Sequence, residues 1–190
     1  MESVKKITNS QKIDYQPLSS LESSLRDTVG IIIAASGNEK RWAISNYLKI
    51  LKFLKEKNYK KFLIISGLDQ SKDENLIKEK FIQNTDIIFT SDKKISDVIP
   101  YLKKCKFCIG NDTGFSHLSV NLDVETLVIQ GDCPPQSYSK LLKHVDIESN
   151  VNRSPTSIHT IKIEKVLDEL SKLLNRRGGR VVEGARLESV

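Results

Sequence analysis

Apolar and polar positions follow two alternating patterns along the chain, one typical of strands and the other of helices. Short, mostly β-branched apolar runs predict buried strands at residues 29–34, 62–66, 86–89, 107–110 and 126–130, and a weaker one at 145–148. Apolar residues at helical spacing predict helices from Ala43 onwards and at residues 73–81, 95–103 and 113–122. Such alternation indicates βαβ units, whose right-handed crossovers place helices on both faces of a parallel sheet. We therefore predict an α/β fold with a doubly wound, Rossmann-like parallel sheet.

The two ends of the chain depart from this pattern. Residues 1–27 are polar without a long periodic pattern, which predicts an arm or linker. A closing amphipathic helix is marked by Ile163, Val166, Leu167, Leu170 and Leu174. Residues 1–175 hold 23 Lys and 3 Arg, whereas residues 176–190 hold no Lys and 4 Arg. We therefore predict one domain over residues 28–175 and an atypical, disordered tail at 176–190.

Composition narrows the class of protein. Apolar residues make up 38% and charged residues 28%, as in globular proteins, and no apolar run approaches the ~20 residues of a membrane span. The start of the chain lacks the apolar stretch of a signal peptide, so we expect a cytoplasmic protein. A net charge of +6 fits nucleic acid, an anionic membrane or a phosphorylated ligand, or lysines that solvate helix faces. Sparse aromatics, 6% and not interleaved with the lysines, argue against nucleic acid.

The cysteines do not form a recognisable metal or redox motif. Cys105 and Cys108 have the spacing of a metal knuckle or redox pair, but Cys133 and three scattered histidines supply no second ligand pair. Cys105 ends a predicted helix and Cys108 lies within a strand, the reverse of a thioredoxin-type arrangement. We expect buried structural thiols and no metal.

The most informative stretch is residues 107–118, where a buried strand leads through a short polar turn directly into a helix. Ligands of open α/β sheets dock at this end of the strands, and a helix N-terminus attracts anions. There Gly114 would let a phosphate approach the backbone, Thr113 would donate to it, and His117 would lie one turn further on the same face. Asp112 would orient the turn or accept a ligand hydroxyl. The residues fit equally well an ordinary N-cap, with Asp112 capping the helix and His117 facing solvent.

A second strand-to-helix corner follows the first predicted strand. It reads Ser36-Gly37-Asn38-Glu39-Lys40-Arg41-Trp42 and holds small residues, two cations and the single tryptophan. Lys40 or Arg41 would pair with a diphosphate while Trp42 anchors the loop. The same residues also fit a solvated basic loop with Trp42 packed as a lid on the core.

Together the two corners resemble the C-terminal domain of the ADP-heptose:lipopolysaccharide heptosyltransferases, family nine of the glycosyltransferases. That domain carries Lys-x-Trp-Pro after its first strand and Asp-Thr/Ser-Gly-x-x-His after its fourth. The matching segments are Lys40-Arg41-Trp42 and Asp112-Thr113-Gly114-Phe115-Ser116-His117. Gly67 after the second strand and the loop at residues 130–134 support the resemblance, which spans about residues 29–144. It implies a single half-domain of a GT-B glycosyltransferase.

The resemblance also implies roles for individual residues. Lys40, Thr113 and Gly114 would bind the donor diphosphate, Asp112 would contact the heptose, and His117 would lie beside the phosphates. No catalytic residue is implied in this chain, because the family's general base belongs to the N-terminal, acceptor-binding half.

Three further donor-binding candidates are Ser36, Arg41 and Glu74. The family uses an acidic residue after the second strand, and Glu74 is one of three candidates with Asp69 and Asp73. Two positions depart from the family: Ala43 replaces the proline after the tryptophan, and Asp132-Cys133-Pro134-Pro135 replaces a Pro-Thr segment.

The function implied by the resemblance is inverting sugar transfer, without metal or cofactor, from a nucleotide-sugar to a lipopolysaccharide or related glycan. ADP-heptose is the expected donor. We expect a separate N-terminal acceptor-binding half as partner, no nucleic acid, and membrane contact only through a lipid-linked acceptor at the inner face of the inner membrane. This chain alone would then bind donor without useful turnover. The alternative is a non-catalytic nucleotide-binding or regulatory module derived from the same domain.

Overall fold

The computed structural model describes residues 27–81, 83 and 85–184, and for residues 178–184 it describes the backbone alone. The arm predicted at residues 1–27 therefore lies, apart from Asp27, outside the described residues. The strands are β1 (Thr28–Ile32), β2 (Lys61–Ile65), β3 (Asp86–Phe89), β4 (Phe107–Asn111), β5 (Thr126–Gln130) and β6 (Leu142–Asp146). The α-helices are α1 (Ile44–Glu56), α2 (Ser71–Phe81), α3 (Ile95–Leu102), α4 (Gly114–Asn121) and α5 (Ile163–Gly184). Short 3₁₀ turns lie at Asn38–Lys40, Leu68–Gln70 and Pro155–Thr160.

The strands of the described chain form one six-stranded sheet in the order β3-β2-β1-β4-β5-β6, and every neighbouring pair is parallel. This confirms the predicted doubly wound parallel sheet. The strand order reverses between β1 and β4, where Ile32 is paired with Gly110. Ligands of open α/β sheets bind at the carboxyl ends of the strands beside such a reversal. The two corners singled out in the sequence follow β1 and β4, so the topology places them side by side.

The sheet is buried on both faces, which is why its strands read as continuous apolar runs. On one face Val29 and Ile31 of β1 belong to the main core, to which α1 and α5 contribute Tyr47, Ile50, Leu51, Leu54, Val166 and Leu170. On the other face Ile32 packs in a second core with Val98 and Leu102 of α3 and with Cys105 and Cys108. Both of these cysteines are buried free thiols as predicted, whereas Cys133 is exposed. Successive residues of β1 thus enter opposite cores, which fixes the register of the central strand.

Helix α5 is longer than the sequence predicts. It continues to Gly184, so the domain boundary predicted at residue 175 falls inside the helix rather than at its end. Arg176 and Arg177 hold this part of the helix against the sheet, because both pair with Glu125 just before β5. No helix in the described part of the chain is long and apolar enough to cross a membrane.

Strand β6 begins earlier than the predicted run at residues 145–148. It pairs with β5 from Leu142, through Lys143 and His144, to Asp146. Because β6 is an edge strand, its buried residues Leu142 and Val145 are separated by polar ones. An apolar run therefore marks only part of the strand.

Candidate functional site

The corners after β1 and β4 meet at the carboxyl edge of the sheet. Lys40 from the first corner and Asp112 from the second line the same small cavity of about 10 Å³. Its other walls come from the end of β5, the loop that follows it and the 3₁₀ turn before α5: Ile129, Gly131, Asp132, Pro155 and Ile158. The structure therefore brings together the two corners that the sequence predicts to form the site.

Asn111, the last residue of β4, joins the two corners. Its side chain is fully buried, and its Oδ1 accepts hydrogen bonds from Trp42 N at 3.2 Å and Tyr47 Oη at 2.7 Å. Its Nδ2 donates to the carbonyl oxygens of Ile33, at 2.8 Å, and Ala34, at 3.3 Å. One amide thus ties the end of β1 and the start of α1 to the end of β4, and so fixes Lys40 relative to α4.

Tyr47 completes this buried network as a protonated donor. Burial raises the pKa of its phenol well above the ordinary value, against a smaller lowering by the hydrogen bond with Asn111. The phenol therefore keeps its proton at any working pH and can donate it to Asn111. Trp42 is also anchored by its indole, whose Nε1 donates to the carbonyl of Ile161 at 3.0 Å.

Lys40 ends the 3₁₀ turn of the first corner and forms an ion pair with Asp132 in the loop after β5. The distance from Nζ to Oδ2 is 2.6 Å, and the side chains are 36% and 18% exposed. Their hydrogen bond and mutual attraction raise the pKa of Lys40 and lower that of Asp132. Both groups are therefore charged at neutral pH, and the lysine faces an internal counter-ion.

Arg41 and Ser36, the other candidates of the first corner, differ in their surroundings. Arg41 donates to Asp69 Oδ2 and to Asn38 Oδ1, both at 2.6 Å. The hydrogen bond from Arg41 lowers the pKa of the Asp69 carboxyl. Arg41 thus bridges the loops after β1 and β2 instead of pointing a free guanidinium at a ligand, whereas Ser36 is exposed in its loop.

Asp112 and His117 are in direct contact at the start of α4. His117 Nε2 lies 3.0 Å from Asp112 Oδ1, and its Nδ1 lies 2.7 Å from Tyr138 Oη. An ionised carboxylate only accepts hydrogen bonds, so the proton of a neutral ring is on Nε2 and Tyr138 donates to Nδ1. The cap of α4 is Thr113, so the interpretation of Asp112 as the N-cap is wrong, while the His117 side chain is 29% exposed.

Thr113 and Gly114 form the N-terminus of α4. The Thr113 hydroxyl oxygen is buried without a hydrogen-bond partner among the described residues, and it makes no capping bond. A Cβ built on Gly114 would meet no atom within 4 Å. The first turn of a helix presents amide N–H groups that lack helical acceptors. This corner therefore offers amide donors beside open space at Gly114, and a buried hydroxyl without a partner next to them.

Glu74, the acidic candidate after β2, is 4% exposed and lies in α2. One of its oxygens accepts a short hydrogen bond from Ser66 at the end of β2, and the other lies 3.9 Å from Lys78 Nζ. Of the alternatives, Asp69 is engaged by Arg41, and Asp73 accepts a hydrogen bond from Gln70. The three acids are thus all at the same edge of the sheet, and Glu74 alone is buried.

Sequence reasoning missed three residues that shape the site. Asn111 is a polar residue at the last position of a buried strand, a pattern that signals a specific hydrogen-bonding role. Asp132 and Tyr138 come from the loop after β5 and reach Lys40 and His117 through contacts between distant segments. No periodicity in the sequence marks such contacts.

Comparison with known proteins gives a family and a fold. A family model described as glycosyltransferase family 9 (heptosyltransferase) matches residues 2–167. The search of curated proteins gave no match.

Several solved structures have the same fold. A family 9 glycosyl transferase from Veillonella parvula is 16% identical, with a TM-score of 0.70 over 84% of this chain and 50% of that one. The E. coli heptosyltransferase WaaC with ADP-2-deoxy-2-fluoro heptose is 16% identical, with a TM-score of 0.62 over 77% of this chain and 43% of that one. E. coli ADP-heptose lps heptosyltransferase II is 20% identical, with a TM-score of 0.68 over 82% of this chain and 48% of that one. The chain thus spans about half the length of these proteins, and the likeness concerns the fold.

Proposed function

Because the chain belongs to glycosyltransferase family 9, we propose that it binds a nucleotide-sugar donor between the corners that hold Lys40 and Thr113. ADP-heptose is the proposed donor and a lipopolysaccharide or related glycan the proposed acceptor. Two solved relatives support this choice, since one is described with an ADP-heptose analogue and another as an ADP-heptose lps heptosyltransferase. The acceptor would be bound by a facing half, at the cytoplasmic side of the inner membrane.

The observation that carries the proposal is the meeting of a lysine and a helix N-terminus at the strand-order reversal. Lys40 supplies a cation, and α4 supplies N–H groups with the positive end of a helix dipole. The buried Thr113 hydroxyl adds a donor that has no partner within the described structure. A diphosphate placed between these groups would satisfy all three.

In the proposed reaction an acceptor hydroxyl attacks the anomeric carbon, the bond from this carbon to the phosphate oxygen breaks, and the nucleoside diphosphate leaves. Charge then grows on the leaving phosphates, where Lys40 and the N-terminus of α4 would stabilise it. Asp112, oriented by His117, would accept hydroxyls of the sugar. We assign the general base to the acceptor-binding half, so donor binding and transfer are separable properties. Loss of a general base alone costs ~10²–10⁴ in rate.

Replacing Lys40 with alanine should weaken nucleoside diphosphate binding about 10- to 100-fold, because a charge-assisted hydrogen bond contributes ~1.5–3 kcal/mol. Thr113→Val, which removes a single neutral donor, should weaken it about fivefold. Calorimetric titration with ADP, GDP and UDP measures both effects. Lys49→Ala on the exposed face of α1 is the matched control and should leave the affinity unchanged. If the unsubstituted protein and the three variants bind the nucleoside diphosphate with equal affinity, the site assignment is contradicted.

Replacing Gly114 with alanine should weaken binding without destabilising the fold. A Cβ here meets no protein atom within 4 Å, and alanine is favoured over glycine in helices by ~0.5–1 kcal/mol. The same methyl group would stand where we place a phosphate, so we expect about a tenfold loss of affinity, which corresponds to ~1.4 kcal/mol. Titration and thermal unfolding of the same samples separate the two effects. Unchanged affinity in a fully stable variant would place the phosphates elsewhere.

A further inference from the structure

We propose that Asp132 is a built-in competitor of the donor diphosphate, whose carboxylate holds the Lys40 ammonium that the phosphates need. This inference rests on the proposed function of the site and adds a determinant of which phosphate ligand it prefers. The contact is close, at 2.6 Å, and Asp132 is the less exposed of the two side chains. A diphosphate that binds Lys40 must therefore compete with this carboxylate for the ammonium.

The backbone around Asp132 is held in place, so the carboxylate cannot leave the site together with its loop. Gly131 packs so tightly against the backbone of Ile158 that a Cβ would overlap it. On the other side, Arg153 donates to the carbonyl of Cys133 at 2.6 Å. Gln130 donates to the carbonyl of Pro134 at 3.0 Å. Rotation of the Asp132 side chain is thus the available motion, and it leaves the negative charge near the phosphates.

A carboxylate that stays near the site distinguishes phosphate ligands by their charge. A nucleotide-sugar carries its diphosphate as a diester with about two negative charges. A nucleoside diphosphate adds part of a third, because its terminal phosphate has a second pKa near 6. Coulomb repulsion by Asp132 grows with ligand charge. Asp132 should therefore disfavour the nucleoside diphosphate more than the nucleotide-sugar, and so favour departure of the product over loss of the donor.

The isosteric variant Asp132→Asn tests the inference, since it keeps the shape and removes the charge. The probes are ADP, GDP and UDP and their glucose diesters ADP-glucose, GDP-glucose and UDP-glucose, titrated into the purified chain. With the nucleotides whose base the protein accepts, we expect the variant to bind the nucleoside diphosphate about tenfold more tightly than the unsubstituted protein does. The glucose diester should bind about threefold more tightly. The gain should be smaller when Lys40→Ala is added, because competition for the ammonium is then lost and only direct repulsion by Asp132 remains. Circular dichroism verifies that the variants are folded.

Asp92→Asn is the matched control, because Asp92 lies in the turn after β3, at the same edge of the sheet, and pairs only with its neighbour Lys93 among the contacts described. It changes the net charge by the same amount as Asp132→Asn does. Both affinities should stay within twofold of those of the unsubstituted protein. A gain that is undiminished in the Lys40→Ala background, or that Asp92→Asn reproduces, would overturn competition at Lys40. Weaker binding by Asp132→Asn would make Asp132 a ligand of the donor and also overturn it, while the proposed function stands. If no variant binds any probe, the proposed function is wrong and the competition with it.

Discussion

Replacing Asn111 with alanine should lower the free energy of unfolding by about 3–5 kcal/mol. The substitution leaves the buried Trp42 backbone N–H without its acceptor, at a cost of ~1–3 kcal/mol. It also removes the hydrogen bonds of Asn111 with the Tyr47 hydroxyl and Ile33 O, at ~0.5–1.5 kcal/mol each. These two groups keep the Ile32 carbonyl and Gln70 Nε2 as partners. This loss is a large part of a typical stability of ~5–15 kcal/mol, and urea unfolding followed by far-ultraviolet circular dichroism measures it.

The control for this substitution is Asn121→Ala, which makes the same chemical change at the exposed end of α4. A surface substitution of this kind should stay within ~0.5 kcal/mol. A loss below ~1 kcal/mol for Asn111→Ala would mean that the network does not hold the two corners together. Because the network positions Lys40, any folded fraction of this variant should also bind nucleotide more weakly.

Replacing Gly110 with alanine should destabilise the protein by about 3 kcal/mol, near the upper end of overpacking effects. A Cβ built on Gly110 overlaps the carbonyl oxygen and the Cβ of Ile32 on the neighbouring strand. Backbone of a central strand cannot rotate aside, so β1 and β4 would have to separate at the point where the site begins. Thermal and urea unfolding measure this loss.

Gly114→Ala is the matched control for Gly110→Ala, since four residues away the same methyl group enters open space. We expect equal or higher stability for Gly114→Ala. If the two variants unfold alike, close contact between β1 and β4 is not what requires glycine at position 110.

The central part of the fold could be predicted from the sequence because burial on both faces makes the strands continuous apolar runs. Strands β3 and β5 begin and end at the predicted residues, Asp86–Phe89 and Thr126–Gln130. The edge strand β6 was placed too late in the chain, because its polar residues interrupt the apolar pattern. Helix α5 continues through the change of composition after Asn175, where Arg176 and Arg177 pair with Glu125.

For the candidate site, the sequence predicted that the two corners lie together but not how their side chains pair. The topology brings Lys40 and Asp112 to one cavity, as the strand-to-helix pattern suggested. Pairing of Lys40 with Asp132, of Arg41 with Asp69, and of His117 with Tyr138 depends on loop conformations with no periodic signature. These pairings determine which charged groups of the candidate site already have partners.

The anchoring of Trp42 has a practical consequence. The protein has a single tryptophan, two positions after Lys40, and its indole is 2% exposed, donates to Ile161 and meets Tyr47 edge-on. Intrinsic fluorescence excited at this indole therefore comes from one known place beside the corner where we propose phosphate binding. Its emission serves as a label-free optical probe of ligand titrations, with no dye attached and no competing tryptophan signal to subtract.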